Sequence, residues 1–267
     1  MKKIVIKRFL TKLYLLPIVE QINFWRQKLI HRKENKKFKQ EYPNIQLPPD
    51  FYIYETFQLN YHKFYTNGIP TATWLYNLVS KFKTLEHASI LDWGCGTSRV
   101  LRHLPAVAGD TNHYFGCDYN PKYVDWCAKH LKGINFQLNQ VTPPLPYKNE
   151  QFDLVYGVSI FTHLSEEQHY NWFSELYRVL KPEGILFITT HGNVHSFKLT
   201  VKELQKFNSG KLVVHNFKKE GNRLYATYQP EAFMKQIGSA NKFEVLHHIP
   251  GILTNNRPQQ DVWIFKK

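Results

Sequence analysis

Only three cysteines occur in the 267 residues, Cys95, Cys117 and Cys127. Their odd number and wide spacing exclude a disulfide framework, and no Cys/His pattern of a zinc site is present. The nearest thing to a ligand pair is His191 with His195, two histidines in an expected loop, so no metal is expected. Acidic residues are also scarce, 21 Asp and Glu against 35 Lys and Arg, which leaves a formal charge of +14. No apolar run approaches the ~20 residues needed to span a bilayer. Lys7, Arg8 and Lys12 interrupt any signal-peptide core, and no small-residue cleavage site follows. A cytoplasmic location is the expectation. Internal repeats and low-complexity tracts are missing. With 43% hydrophobic and 15% aromatic residues the chain is not generally disordered, and its length suffices for one full core plus an extension.

The positive charge is concentrated at one end. Residues 1–41 hold twelve Lys or Arg against three Glu, which is +9 of the +14. Ile6, Phe9, Leu10, Leu13 and Leu16 recur at helical spacing, and Ile18, Ile22, Trp25 and Leu29 continue the pattern after Pro17. Two readings stand. The segment lies on an anionic membrane surface, or it forms helices packed on the domain with a solvated basic face. Pro43, Pro48 and Pro49 mark 42–50 as a linker. The chain therefore divides into 1–50, a basic helical N-terminal extension and linker, and 51–267, a single domain.

The most informative stretch is Ile90-Leu91-Asp92-Trp93-Gly94-Cys95-Gly96. An apolar run ends in an acid and breaks into a glycine turn, as a buried parallel strand does where it meets a ligand crevice. Glycine there takes backbone angles closed to other residues and lets a ligand touch the main chain. A second apolar run ends in Asp118, two dozen residues after Gly94, where a carboxylate suits both hydroxyls of a ribose. Arg99 stands where a dinucleotide turn needs its third glycine, which argues against NAD or FAD. A nucleoside without a pyrophosphate is expected, and S-adenosylmethionine is the usual one.

On these residues the chain resembles the class I S-adenosylmethionine-dependent methyltransferases, over about residues 88–192. The resemblance makes 88–192 the core of the domain and leaves a C-terminal insertion and strands at 193–267. Asp92 to Gly96 matches the cofactor loop and Asp118 the ribose-binding acid. Residues 134–139 resemble the third strand, whose end contacts adenine, which points to Asn139 and Gln140. Phe152-Asp153 opens a run like the fourth strand, ending under the methionine moiety, and Arg178-Val179-Leu180-Lys181-Pro182-Glu183-Gly184 precedes a fifth. The resemblance implies an α/β fold, a doubly wound, mostly parallel sheet of seven strands with an N-terminal helical extension and an antiparallel last strand. The cofactor-binding set expected is Asp92, Gly94, Cys95, Gly96, Asp118, Tyr119, Asn139, Gln140, Val158 and Ser159. Many relatives have an aspartate where Asn139 stands; an amide still reads the adenine amino group. Tyr61 and Tyr65, ahead of the first strand, are lid candidates or core rings.

Local signals fill in the rest. A helix is expected over 71–83 after the turn at Gly68-Ile69-Pro70, and Pro121 opens another to about Leu131. Ser165 with Gln168 caps a helix over 165–180, with Phe173, Leu176, Tyr177 and Leu180 on its buried face and Lys181-Pro182 ending it. Residues 211–228 read as a hairpin turning at Glu220-Gly221-Asn222. Pro230 begins a helix, and strands follow at 243–249 and 262–266.

The chemistry belongs beyond strands four and five. A hydroxyl acceptor needs a base, and His191 and His163 are the candidates, His191 for the glycine beside it that permits close ligand approach. Nucleic-acid amino methyltransferases carry Asp or Asn with Pro-Pro after strand four, whereas Gly157-Val158-Ser159-Ile160 stands here. Cytosine C5 chemistry needs a cysteine after proline, which is missing, as is the double-glutamate loop of protein arginine methyltransferases. A nucleic-acid partner is thus disfavoured. Trp93-Gly94-Cys95-Gly96, Pro143-Pro144-Leu145-Pro146, Phe161-Thr162-His163-Leu164 and Gln260-Asp261 are similar to methyltransferases found with bacterial glycosyltransferases. That likeness implies methyl transfer to a sugar or small-molecule hydroxyl in surface polysaccharide biosynthesis, with peripheral contact at the inner membrane face through residues 1–41. Two other classes stay open: an RNA methyltransferase anchored by the basic N-terminus, and a noncatalytic membrane-associated protein that keeps the fold.

Overall fold

A computed structural model describes residues 16–216, 218–222 and 224–267. The apolar positions Ile6, Phe9, Leu10 and Leu13 lie outside the described residues. Helices α1 (Leu16–Ile30), α2 (Arg32–Glu41), α3 (Asp50–Thr56), α4 (Tyr61–Thr66) and α5 (Gly68–Val79) lead into the first strand. Pro70 occupies the first turn of α5, where its missing N–H has no helical partner to lose, so that helix starts earlier than the expected residue 71. The apolar runs then form β1 (Ser89–Trp93), β2 (His113–Asp118), β3 (Ile134–Leu138), β4 (Phe152–Gly157) and β5 (Leu180–Thr190), all paired in parallel.

Between these strands run α6 (Leu104–Ala108), α7 (Pro121–His130) and α8 (Glu166–Val179). After β5 come α9 (Val201–Asn208), the hairpin strands β6 (Val213–Asn216) and β7 (Tyr225–Tyr228), and α10 (Glu231–Ala240). The chain closes with β8 (Glu244–Ile249), a small hairpin of β9 (Leu253–Thr254) and β10 (Arg257–Pro258), and β11 (Asp261–Lys266). The seven-stranded sheet runs β3-β2-β1-β4-β5-β11-β8, with β11 antiparallel to both neighbours. That is the doubly wound, mostly parallel order expected from the sequence. Strand order reverses between β1 and β4, and ligands bind at such a switch point beyond the carboxyl ends.

Side chains alternate between the two faces, so each face has its own core. Leu91, Val155, Leu186 and Trp263 join Trp172, Phe173 and Leu176 of α8 on one side. Ile90, Leu154, Phe187 and Ile264 join Ala72, Leu75 and Val79 of α5 on the other. The Ser165 hydroxyl caps α8 by accepting from the Gln168 amide at 3.2 Å. Helix α8 stops at Val179, however, and Leu180, expected as its last buried residue, pairs with Phe152 as the start of β5. Pro182 accounts for this, since the residue before proline avoids helical angles.

The first four helices share a separate cluster. Phe24 and Phe38 pack with Ile53, Tyr54, Leu59, Tyr61 and Phe64. This core crosses the division expected at residue 50, because Ile53 and Tyr54 are the inner face of α3 and Tyr61 and Phe64 that of α4. Tyr61 is buried with its hydroxyl on Asp50, and Tyr65 lies edge-on to His103, so both candidate lid rings are packing groups.

One ion pair, with its carboxylate buried and its guanidinium partly exposed, holds the approach to β4. Glu175 accepts from the Leu145 amide at 2.6 Å and from Arg178 through both carboxylate oxygens, while Arg178 also donates to the Tyr147 carbonyl. Glu175→Ala leaves the buried Leu145 amide without its acceptor and takes from Arg178 its carboxylate partner, though not its bonds to Tyr147 and Asn149. Its expected cost is about 2–4 kcal/mol in denaturant unfolding. A loss under 1 kcal/mol would mean that water replaces the carboxylate.

Candidate active site

The glycine turn is tied to its neighbour strand through the backbone. The Gly94 and Cys95 amides both donate to the Cys117 carbonyl at 2.9 Å, and the Asn139 amide donates to the Asp118 carbonyl at 3.1 Å. Gly94 (φ +75°) and Gly96 (φ +52°) sit in the left-handed region. A Cβ at Gly94 would come within 2.3 Å of the Ile160 side chain, so the turn is roofed by the loop after β4.

Beyond these strand ends lies a cavity of about 480 Å³. Asp92, Gly94, Cys95, Gly96, Asp118, Tyr119, Val158 and Ser159 line it, and Asn139 and Gln140 line an adjoining recess with Trp93 and Trp172. All ten expected cofactor positions are thus gathered around one space. His163 lines both compartments. His191 lines neither.

The electrostatics of the cavity are unusual. Asp118 accepts from the Gly96 amide at 2.9 Å and the Asn120 amide at 2.8 Å, yet burial raises its pKa to about 6 against those bonds. Burial likewise raises Asp92 to about 7; the Tyr156 hydroxyl faces it closely enough to oppose the rise but closes no hydrogen bond. Arg99 is desolvated beside Asp92 and lies over the Phe57 ring, 4.7 Å from its centroid. The Oδ1 of Asn139 is buried with no hydrogen-bond partner among the described residues. That orphan acceptor, the ribose-type carboxylate and the Asp92/Arg99 pair match the amino group of an adenine, two ribose hydroxyls and a zwitterionic amino-acid tail.

The loop after β4 is held from three directions. Ser159 has φ +67°; its amide donates to Thr189 Oγ1 at 2.8 Å and its hydroxyl accepts from Gln260 at 2.8 Å and meets Thr162 at 2.9 Å. His163 follows, and its Nδ1 donates to the Tyr225 carbonyl at 2.7 Å. A carbonyl only accepts, so the proton sits on Nδ1 and Nε2 keeps its lone pair. Burial lowers its pKa below the ordinary histidine value.

His191 has the same tautomer, with Nδ1 donating to the Thr227 carbonyl at 3.0 Å, but it is stacked behind the cavity against His195 and Tyr228. Burial, and then the neighbouring His195, push its pKa well down. The space opened by Gly192 is taken by the Asp261 carboxylate, 2.1 Å from where a Cβ would stand, and not by a ligand.

Several lining residues carried no usable local signal. Glu55, Thr56 and Phe57 reach the cavity from the end of α3, with Thr56 on Thr97 at 3.0 Å and Glu55 accepting from Tyr123 at 2.7 Å. Gly221 and Asn222 arrive from the tip of the β6–β7 hairpin, where the Gly221 amide donates to the His163 carbonyl and its own carbonyl accepts from Tyr119. The turn itself was legible. Its destination was not.

Fold and pocket together resemble those of S-adenosylmethionine-dependent methyltransferases. Residues 90–184 match the family model described as a methyltransferase domain. The chain is 32% identical over 117 residues to a demethylmenaquinone methyltransferase of Lactobacillus johnsonii, covering 42% of this chain and 47% of that protein. It is 30% identical over 118 residues to a phosphoethanolamine N-methyltransferase of Plasmodium falciparum, 43% of each. The matched region thus spans less than half the length of these curated relatives. A solved S-adenosylmethionine-dependent methyltransferase from Methanosarcina mazei shares the fold with a TM-score of 0.57, at 18% identity over 72% of this chain and 97% of that one.

Two consequences follow from the buried acids. Asp118→Ala should weaken S-adenosylmethionine binding by about 2–4 kcal/mol in calorimetry. In the parent protein, affinity should fall as pH drops through about 6, because the protonated carboxyl loses acceptor capacity for the ribose. Unchanged affinity in the variant overturns the ribose role.

Asp92 gives the opposite sign for stability. Its pKa is raised above that of the unfolded chain, so the ionised form costs stability at pH above about 7 and the cost fades toward pH 4. Asp92→Asn should stabilise the ligand-free protein by about 1–3 kcal/mol at pH 8, with no gain near pH 4. Destabilisation at pH 8 would show that a bound water or cation relieves the charge.

Proposed function

We propose that the protein transfers the methyl group of S-adenosylmethionine to the hydroxyl of a sugar or another small molecule, with His163 as the base. When bound, the cofactor supplies an electrophilic methyl group on a sulfonium. The protein's own work is to align the acceptor, exclude water and remove its proton. The observation that carries this reading is His163 itself, an imidazole in the cavity wall whose Nδ1 is committed to Tyr225, so that Nε2 keeps the lone pair.

Asp118 would hold the ribose, Asn139 the adenine amino group, and Asp92 with Arg99 the amino-acid tail. Ile160 and Tyr119 narrow the space around the acceptor, and Gln260 steadies Ser159 beside it. His191 supports the loop after β5 by holding the Thr227 carbonyl. A glycan of a surface polysaccharide fits the residue pattern shared with methyltransferases found with glycosyltransferases. It also fits peripheral contact of residues 1–41 with the inner membrane face. No helix among the described residues is long and apolar enough to cross a membrane.

The test is S-adenosylhomocysteine release from purified protein against nucleotide sugars, glycans, lipids, amines and RNA. Release with hydroxylated sugars is expected; release with RNA or amines alone overturns the assignment. His163→Ala should cut turnover about 100-fold or more while His191→Ala keeps most of it. The parent rate should hold through neutral pH and fall only at a pH below about 6.5, since a protonated imidazole accepts no proton and burial lowers its pKa. Normal turnover in His163→Ala with a flat acid limb removes the base from the mechanism.

A further inference from the structure

Helix α1 is apolar on two sides, and only one of them is used by the fold. Its inner side buries Phe24 against Phe51 and Tyr54, and Gln27 accepts from the Leu59 amide at 2.8 Å. The Tyr54 hydroxyl reaches Glu20 at 3.2 Å, fastening α1 to α3. On the outer side Ile18, Ile22, Trp25 and Leu29 are 57%, 60%, 52% and 69% exposed. At about 100° per residue these four fall within an arc of roughly 60°, a continuous stripe and not a scatter. They line one shallow groove together with Gln21 and Arg26.

Charge says what covers the stripe. Arg26 borders it on one side and Lys28 on the other, with the Lys28 ammonium 5.4 Å from the Trp25 ring centroid. Both cations are exposed, though Lys28 already holds Asp50 at 2.9 Å, and so are Arg32, Lys33, Lys36 and Lys37 of the adjoining α2. Residues 1–41 carry +9 in all. A protein partner needs only an apolar surface. An apolar stripe rimmed by cations, with a tryptophan at its middle, matches a bilayer whose acyl chains take the stripe and whose anionic headgroups take the rim. The 15 described residues of α1 are too few to span a bilayer and enough to lie in the interface.

We infer that the outer face of α1, centred on Ile22 and Trp25, docks onto a phospholipid bilayer bearing anionic headgroups. The inference rests on the peripheral contact proposed above and is independent of methyl transfer. Because α1 is fastened to α3, whose last residues Glu55 and Thr56 line the cavity, the docked surface lies one helix layer from the cavity wall.

The experiment is sedimentation of the full chain with vesicles of phosphatidylcholine alone or with phosphatidylglycerol, comparing the parent with Ile22→Glu/Trp25→Glu. Both positions are exposed, so the fold should survive, and calorimetric S-adenosylmethionine affinity checks that it does. The parent should bind mixed vesicles and not neutral ones, with a blue shift of tryptophan emission, and the double variant should bind at least about tenfold more weakly. Three outcomes overturn the inference: no parent binding to mixed vesicles, equal binding by the variant, or a parent dimer in solution that the substitutions dissolve without any vesicle binding. None of these readouts depends on the acceptor or on turnover, so failure here leaves the methyl-transfer reading standing.

Discussion

Every group that faces the cavity depends on β1 lying between two parallel neighbours. With β2 on one side and β4 on the other, their carboxyl ends diverge and leave a crevice that no connection crosses. Backbone bonds then join the strand ends. The glycine turn donates twice to the end of β2, and the residue after β3 donates to Asp118. Asp92, Asp118 and Asn139 come from three different strands, yet their relative positions follow from ladder register and not from side-chain choice. A one-residue slip of β2 would turn Asp118 to the other face and empty the site.

This platform buries two carboxylates where the solvent that would stabilise them is excluded. Asp118 has two backbone donors and is still raised to about 6; Asp92, faced by the Tyr156 hydroxyl, is raised by burial to about 7. Neither arrangement favours the folded chain. Both favour a ligand that brings hydroxyl donors to one acid and a cation to the other. The same logic applies to the buried, unpartnered Oδ1 of Asn139. The site is electrostatically incomplete in ways that the proposed S-adenosylmethionine ligand would complete. Strain at Ser159, held in the left-handed region by Thr189 and Gln260, is of the same kind, because the loop is fixed by elements outside itself.

What the sequence made legible was what lies close along the chain. Asp92, the two glycines and Asp118 were readable because strand ends and turns have local signatures, and the seven-stranded sheet followed from the family resemblance that those residues carry. Glu55 and Phe57 were not, because nothing in a short aromatic helix says that its last turn will rest on a glycine loop forty residues later. His191 and His163 show the limit most clearly. Both follow strands, and the glycine beside His191 looked like room for a ligand. The structure fills that room with Asp261, brought from β11, a contact invisible in local pattern. His163 reaches the cavity because the hairpin insertion supplies the Tyr225 carbonyl that fixes its ring.

The N-terminal helices belong to the same physical system as the site. Their small core crosses the proline-rich linker, and α3 carries that core directly to the cavity through Thr56 on Thr97 and Glu55 on Tyr123. The inner face of α1 explains why this module is attached. It does not explain the outer one. A helix held by Phe24 and Gln27 would keep its inner contacts with polar residues at 18, 22, 25 and 29, since more than half of each of those side chains meets water. Apolar surface of that kind costs solubility and returns no core packing. Its cause must therefore lie in something α1 meets outside the described fold, and a surface that supplies both hydrocarbon and negative charge is the simplest one that the adjoining cations permit.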